Sequence, residues 1–201
     1  DIGHLFGASG GGGNAGCIGC VCVNGSKGSG FTSPADAIPQ GDNFDIDYVV
    51  HEVGHQLGAY HTFSHSNQGN PVQKEVGSGI TIMGYAGITS FDAAAHSIDI
   101  YHEASIEQIQ VNLAGKTCPV TVAMPPNNAT PVVAPVANYT IPISTPFALT
   151  GSATDADPND ALTYCWEQND LATTFGANSV ASPTKATGPN WLSFLPSTSP
   201  T

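Results

Sequence analysis

Apolar residues along the chain change their period three times. Ile2, Leu5 and Phe6 form a short run over 2–6 that predicts a strand. From about Phe44 to Leu57, Ile46, Val49, Val50 and Val53 recur at three- and four-residue steps, which predicts a helix. Asp42 or Asn43 can cap it, and Asp45 and Asp47 suit the positive end of its dipole. A second helix is expected over Tyr101–Leu113, with Ile106, Ile109 and Leu113 on one face and Gly115 as its stop. Between these elements lie the tetraglycine Gly10–Gly13, the hairpin-type turn Asn24-Gly25, a Pro-containing loop over 32–43 and a polar, Gly-containing stretch over 62–79. The last is expected to be a surface loop. From Val120 the pattern becomes short alternating runs such as Tyr139–Ile143 and Phe147–Thr150, separated by Pro, Asn and Asp, which reads as an all-β module.

One stretch carries chemistry. His51-Glu52-Val53-Gly54-His55-Gln56-Leu57-Gly58-Ala59-Tyr60-His61 reads H-E-x-x-H-x-x-G-x-x-H. Residues i and i+4 share a helix face, so His51 and His55 can grip one metal ion. Glu52 lies about 100° round the helix, close enough to serve a metal-bound water without ligating. Gly58 can leave the right-handed region to end the helix, so the chain turns back and returns His61 as third ligand. Three imidazoles leave a fourth position open, the mark of a catalytic rather than a structural zinc site. The expected chemistry is peptide-bond hydrolysis, with Glu52 as general base on a zinc-bound water. A surface helix with scattered histidines is the bland alternative, and five fixed positions make it a poor match.

Composition narrows the partners. Sixteen acidic residues face four lysines and no arginine, giving a formal net charge of −12. That excess argues against nucleic acid or an anionic membrane as partner. No run of eighteen apolar residues is present, so no transmembrane helix is expected, and no signal sequence is evident in the chain. Five cysteines (17, 20, 22, 118 and 165) suit disulfides in an exported protein better than a zinc ribbon, because no second thiol pair follows Cys17-x-x-Cys20. A bridge from the 17–22 cluster to Cys118 is expected, with the rest unpaired or bridged within the loop.

The flanks add a resemblance. Ile82-Met83-Gly84-Tyr85 follows His61 by about twenty residues, and an extended zinc motif with a downstream Met turn resembles the metzincin metallopeptidases. Asp1–His4, Gly10–Gly13, Thr62-Phe63, Gly77–Gly87 and Tyr101–Ile106 are similar to the secreted bacterial reprolysin-like (adamalysin-related) members. The resemblance covers about residues 1–118. It implies His51, His55 and His61 as zinc ligands, Glu52 as general base and Met83 as an apolar floor beneath the imidazoles. Tyr85 matches a position where related families place a tyrosine that ligates zinc or stabilises the oxyanion, and a buried aromatic with a bonded hydroxyl is the competing reading. Gly10–Gly16 would correspond to a rim strand to which an extended peptide substrate adds. The pattern departs from the family at Thr62, where adamalysins carry Asp. With 50 residues before His51, the resemblance also implies a catalytic domain lacking its N-terminal part.

The expected architecture is therefore α+β: a metzincin-type catalytic domain over 1–119, a linker over 120–127, and a partial Ig- or cadherin-like β-sandwich over 128–201. Asp155, Asp157 and Asp160 could offer oxygens to Ca²⁺, although Asp-Pro-Asn-Asp is an ordinary turn. His4 is expected to be structural, His65 to be idle, His96 and His102 to be surface or capping groups, and Asp92 and Asp99 turn or cap residues. A secreted or cell-surface zinc endopeptidase is the leading reading. The alternative is an inactive fragment that binds through its C-terminal module.

Overall fold

In the computed structural model, residues 1–122 and 128–201 are described, so most of the expected linker (123–127) lies outside the described residues. Two compact units divide the chain. The first joins Asp1–Pro119 to Glu167–Ser193, and the second joins Val120–Trp166 to Phe194–Thr201.

In the first unit, β1 (His4–Phe6), β2 (Gly12–Asn14) and β3 (Gly30–Ser33) form one sheet in the order β1-β3-β2. β1 runs parallel to β3, and β2 runs antiparallel to it with Gly12 opposite Ser33 and Asn14 opposite Phe31. The glycine run is thus half turn and half edge strand. Asn24-Gly25 makes a turn, but no hairpin strands flank it.

The expected helix over 44–57 is present with a change of pitch. Asn43–Val50 is π-helical and continues directly into α1 (His51–Leu57). Asp42 occupies the capping position but makes no side-chain bond there, because its own backbone is already helical (φ −56°, ψ −45°). A capping side chain needs an extended backbone to reach the free amides. Asn43 Nδ2 instead donates to Asp36 Oδ2 at 3.0 Å.

The end of α1 is closed from three sides. Gly58, at φ 125°, turns the chain and donates to Gly54 O (3.0 Å) and His55 O (2.9 Å). A Cβ there would press on Asn112 Cβ at 2.8 Å, so the position is closed by space as well as by conformation. Carbonyls of the last turn also find donors outside the helix: Gly19 N as a second donor on His55 O, Val21 N on Gln56 O and Asn112 Nδ2 on Leu57 O. Gly19 and Val21 belong to the cysteine loop, which the disulfides Cys17–Cys20 and Cys22–Cys118 hold in place. Cys165, in the second unit, keeps its thiol and donates to Phe194 O at 3.3 Å.

α2 (Glu103–Ala114) starts two residues later than expected, because His102 is extended and its Nδ1 accepts from Ala104 N at 3.1 Å. His102 is a cap, as anticipated, but a buried one. Ala59, Ile82 and Met83 form the core under the helix, with Ile46, Val50, Tyr101 and Ile109 packed against them. Full burial of Met83 and Phe63 is worth about 1.5–3 kcal/mol each.

Two expectations fail here for related reasons. The 62–79 stretch is largely interior: Thr62, Phe63, Ser64, Gln73, Glu75 and Ser78 are all buried. Polar side chains replace absent strands and helices as partners for its backbone, as when Gln73 Nε2 donates to Phe63 O and Ser66 O. Likewise, 167–193 packs as part of the first unit rather than the C-terminal module. Ala172 N bonds Gln73 O, Gly176 N bonds His65 O and Gly77 N bonds Ser179 O, all backbone pairs that composition cannot forecast.

Among the described residues, the second unit contains β4 (Val132–Val133) paired antiparallel with β5 (Ala153–Thr154), plus an isolated bridge between Tyr164 and Ser197. Two packed sheets of a sandwich are not present among them. Val120, Val132, Tyr139 and Ile143 stay exposed, so the alternating runs bury little surface to pair over.

Candidate active site

α1 brings His51 and His55 to one side, and the turn after Gly58 returns His61 to face them. His61 Nε2 lies 3.2 Å from His51 Nε2 and 2.9 Å from His55 Nε2. These contacts are not hydrogen bonds, as the other ring nitrogens show. His51 Nδ1 donates to Ile82 O (2.6 Å), His55 Nδ1 to Ala59 O (2.7 Å) and His61 Nδ1 to Gln68 Oε1 (2.8 Å). Those oxygens only accept, so each proton sits on Nδ1 and each Nε2 presents a lone pair. Three lone pairs converging on one point repel unless a cation lies among them. This donor set fits a zinc ion, with each ligand's second nitrogen oriented by a separate acceptor.

Electrostatics agree with that arrangement. Burial holds the His51 imidazole well below its ordinary pKa, and its neighbours His55 and His61 push it down further. Burial also lowers His55, and lowers His61 to about 4. All three rings are therefore neutral at pH 7, the form that binds metal.

Glu52, next to His51 on α1, lies under the edge strand. Its carboxyl is buried, which pushes its pKa up to about 7, and the Ala15 amide donates to it and opposes that rise. A cleft of about 390 Å³ opens beside it, lined by Gly11–Gly13, His51, Glu52, Tyr85, Ala86, Ile88 and His96 among others. Tyr85 lines this cleft too, with its ring centroid 4.5 Å from that of His61 and 5.5 Å from that of His51. Burial raises the Tyr85 phenol, and the nearby Glu52 raises it further. Met83 is fully buried against Gly54, in the middle of α1, where a Cβ would lie 2.6 Å from the sulfur.

His51, Glu52, His55, His61, Met83 and Tyr85, the six residues singled out from the sequence, thus lie close together. A family model described as Metallo-peptidase family M12B, Reprolysin-like, matches residues 1–114. The chain belongs to the M12B reprolysin-like metallopeptidase family. No curated protein and no solved structure matches it. Membership implies a zinc metallopeptidase with a peptide or protein substrate. No helix among the described residues of this M12B chain is long and apolar enough to cross a membrane.

The other polar candidates take ordinary roles. His4 bonds Gln56 Oε1 and Thr32 Oγ1, each at 2.8 Å, tying β1 to α1 and β3. His96 pairs with Asp47 at 3.1 Å, and Asp92 accepts from Thr89 in a turn. Asp155, Asp157 and Asp160 do come within 4.8 Å of one another. Asp155 Oδ1 accepts from Asp157 N and Asp157 Oδ2 from Ala129 N, so backbone amides already engage two of the three carboxylates.

Sequence reasoning missed Gln68, Gln73 and Glu75. Each lies in a stretch whose polarity suggested solvent, and no motif marks them. A polar residue that is buried to satisfy irregular backbone, as Gln73 and Glu75 are, has the same sequence signal as one that, like Gln68, stays exposed.

Proposed function

We propose that this M12B chain is a zinc-dependent endopeptidase acting on extracellular proteins, whose peptides it binds in extended form. The observation that carries the reading is the convergence of three Nε2 lone pairs, each fixed by an acceptor on the opposite nitrogen. His51, His55 and His61 would hold the metal, and Met83 would support their helix from below. Bound there, zinc supplies a Lewis acid that polarises the scissile carbonyl and acidifies water.

The chain's own groups do the proton work. Glu52 takes a proton from the attacking water and gives it to the leaving amine, and a carboxyl with a pKa raised to about 7 suits both steps. Tyr85, beside His61 and the cleft, donates its phenol hydrogen to the developing oxyanion. Among the described residues β2 pairs only with β3, and it lies over Glu52, so an extended peptide can add to its other edge through main-chain bonds. Two disulfides suit an oxidising, extracellular setting.

Metal analysis with a quenched-peptide assay tests this on wild type and Glu52→Ala. We expect zinc in both proteins and cleavage by the wild type alone. Zinc in both with equal silence would defeat the peptidase reading and favour the binding-module alternative.

A further inference from the structure

The loop between His61 and Met83 is organised around one carboxylate. Glu75 is buried, with 4% of its surface exposed. Its Oε1 accepts from Ile80 N (2.9 Å) and Thr81 N (3.0 Å), and its Oε2 from Thr81 Oγ1 (2.6 Å) and Thr62 Oγ1. Its backbone is fixed as well, through Glu75 N on Thr62 O at 2.9 Å and Ser64 Oγ on Glu75 O at 2.7 Å. Gly79, at φ 71°, passes so close that a Cβ would lie 2.9 Å from Oε2.

The residues it grips decide its significance. Thr62 follows His61 directly. Thr81 precedes Ile82, whose carbonyl accepts the Nδ1 proton of His51. One carboxylate therefore clamps the chain next to one imidazole and the chain next to the acceptor that orients another. Thr62 N also bonds Met83 O at 3.1 Å, so the two clamped strands of the loop touch at the floor of the site.

We propose that Glu75 is a positioning residue for the metal centre, setting the spacing between His61 and the Ile82 carbonyl that orients His51. The inference rests on the zinc reading of the three histidines. An ordinary loop brace would stabilise the fold without affecting how tightly the folded site holds metal. A positioning residue must do both, because ligands held even slightly out of place bind metal less tightly.

The test uses the full chain with Glu75→Gln, which keeps the volume but offers one acceptor oxygen instead of two. Chelator competition should show zinc affinity reduced about 10–100-fold, the range for lost outer-shell partners. The visible spectrum of the cobalt-substituted protein should change in the same variant. Ser179→Ala removes the bond from a fully buried hydroxyl to Gly176 O (2.7 Å) in the same unit without touching Glu75 or either clamp, and should melt earlier with unchanged zinc affinity. Should Glu75→Gln not fold, Thr62→Val releases only the His61 arm and should still weaken zinc binding. Wild-type zinc affinity and an unchanged cobalt spectrum in a folded Glu75→Gln or Thr62→Val protein would overturn the inference while leaving the zinc site standing. A wild type that binds no zinc would end both.

Discussion

Gly13 lies directly over Glu52: a Cβ on the glycine would sit 2.5 Å from Oε1 and 2.6 Å from Cγ. The edge strand and the proposed base are therefore packed against each other with no room for a side chain. Gly13 has an ordinary backbone angle, unlike Gly10, Gly11 and Gly12, so alanine fits the strand and conflicts only with the Glu52 side chain, from Cγ to the carboxylate. That conflict displaces a side chain rather than the backbone.

Gly13→Ala should consequently keep the fold and lose activity. Misplacing a reacting group by about 1 Å can cost about 10²-fold in rate. Peptide cleavage should fall by about that factor while the melting temperature and zinc content stay near wild type. Unchanged cleavage would mean that Glu52 is not held where it acts.

Titration gives a second prediction, for the metal-free protein. Glu52 has its folded pKa raised, so its contribution to stability is full below the ordinary value of 4.5 and is lost as pH rises to about 7. The histidines are lowered, so theirs is present above 6.5 and is lost as pH falls, through about 4 for His61. Glu52→Gln should remove only the first effect. Urea melts should show the variant gaining on the wild type from pH 4.5 to 7 and levelling off above, whereas a pH-independent difference would contradict the raised carboxyl.

Gln68 orients His61 from an exposed loop position, by a single bond at 2.8 Å. Gln68→Ala should weaken zinc binding about 10–100-fold with little change in melting of the metal-free form. Gln68→Glu, which restores an acceptor, should recover most of the loss. Equal affinities in all three proteins would show that His61 needs no outer partner.

Gly54 admits Met83 and Tyr101 against the middle of α1, with a Cβ there meeting Met83 Sδ at 2.6 Å and a Tyr101 ring carbon at 2.9 Å. Gly54→Ala should overpack this contact and cost about 1–3 kcal/mol by denaturant unfolding, despite alanine's better helix propensity. A stabilised variant would place Met83 elsewhere.

The sequence determined the parts of this protein that are local. His51, Glu52 and His55 are related by helix geometry, and Gly58 by the turn it alone permits, so spacing by itself announced the candidate metal ligands and the proposed base. The helix expected over 101–113 was legible for the same reason, and it forms over 103–114. What only the tertiary structure decided is how that motif is held. Thr62 stands where adamalysins carry Asp, and the carboxylate arrives instead from Glu75, thirteen residues away. Residues 167–193 joined the first unit through backbone bonds to 65, 73 and 77, against a composition that assigned them to a β module. Polarity predicted solvent for 62–79, and alternation predicted a β-sandwich for 167–193. A buried irregular backbone needs polar side chains near it, and the sequence does not distinguish that need from exposure to water.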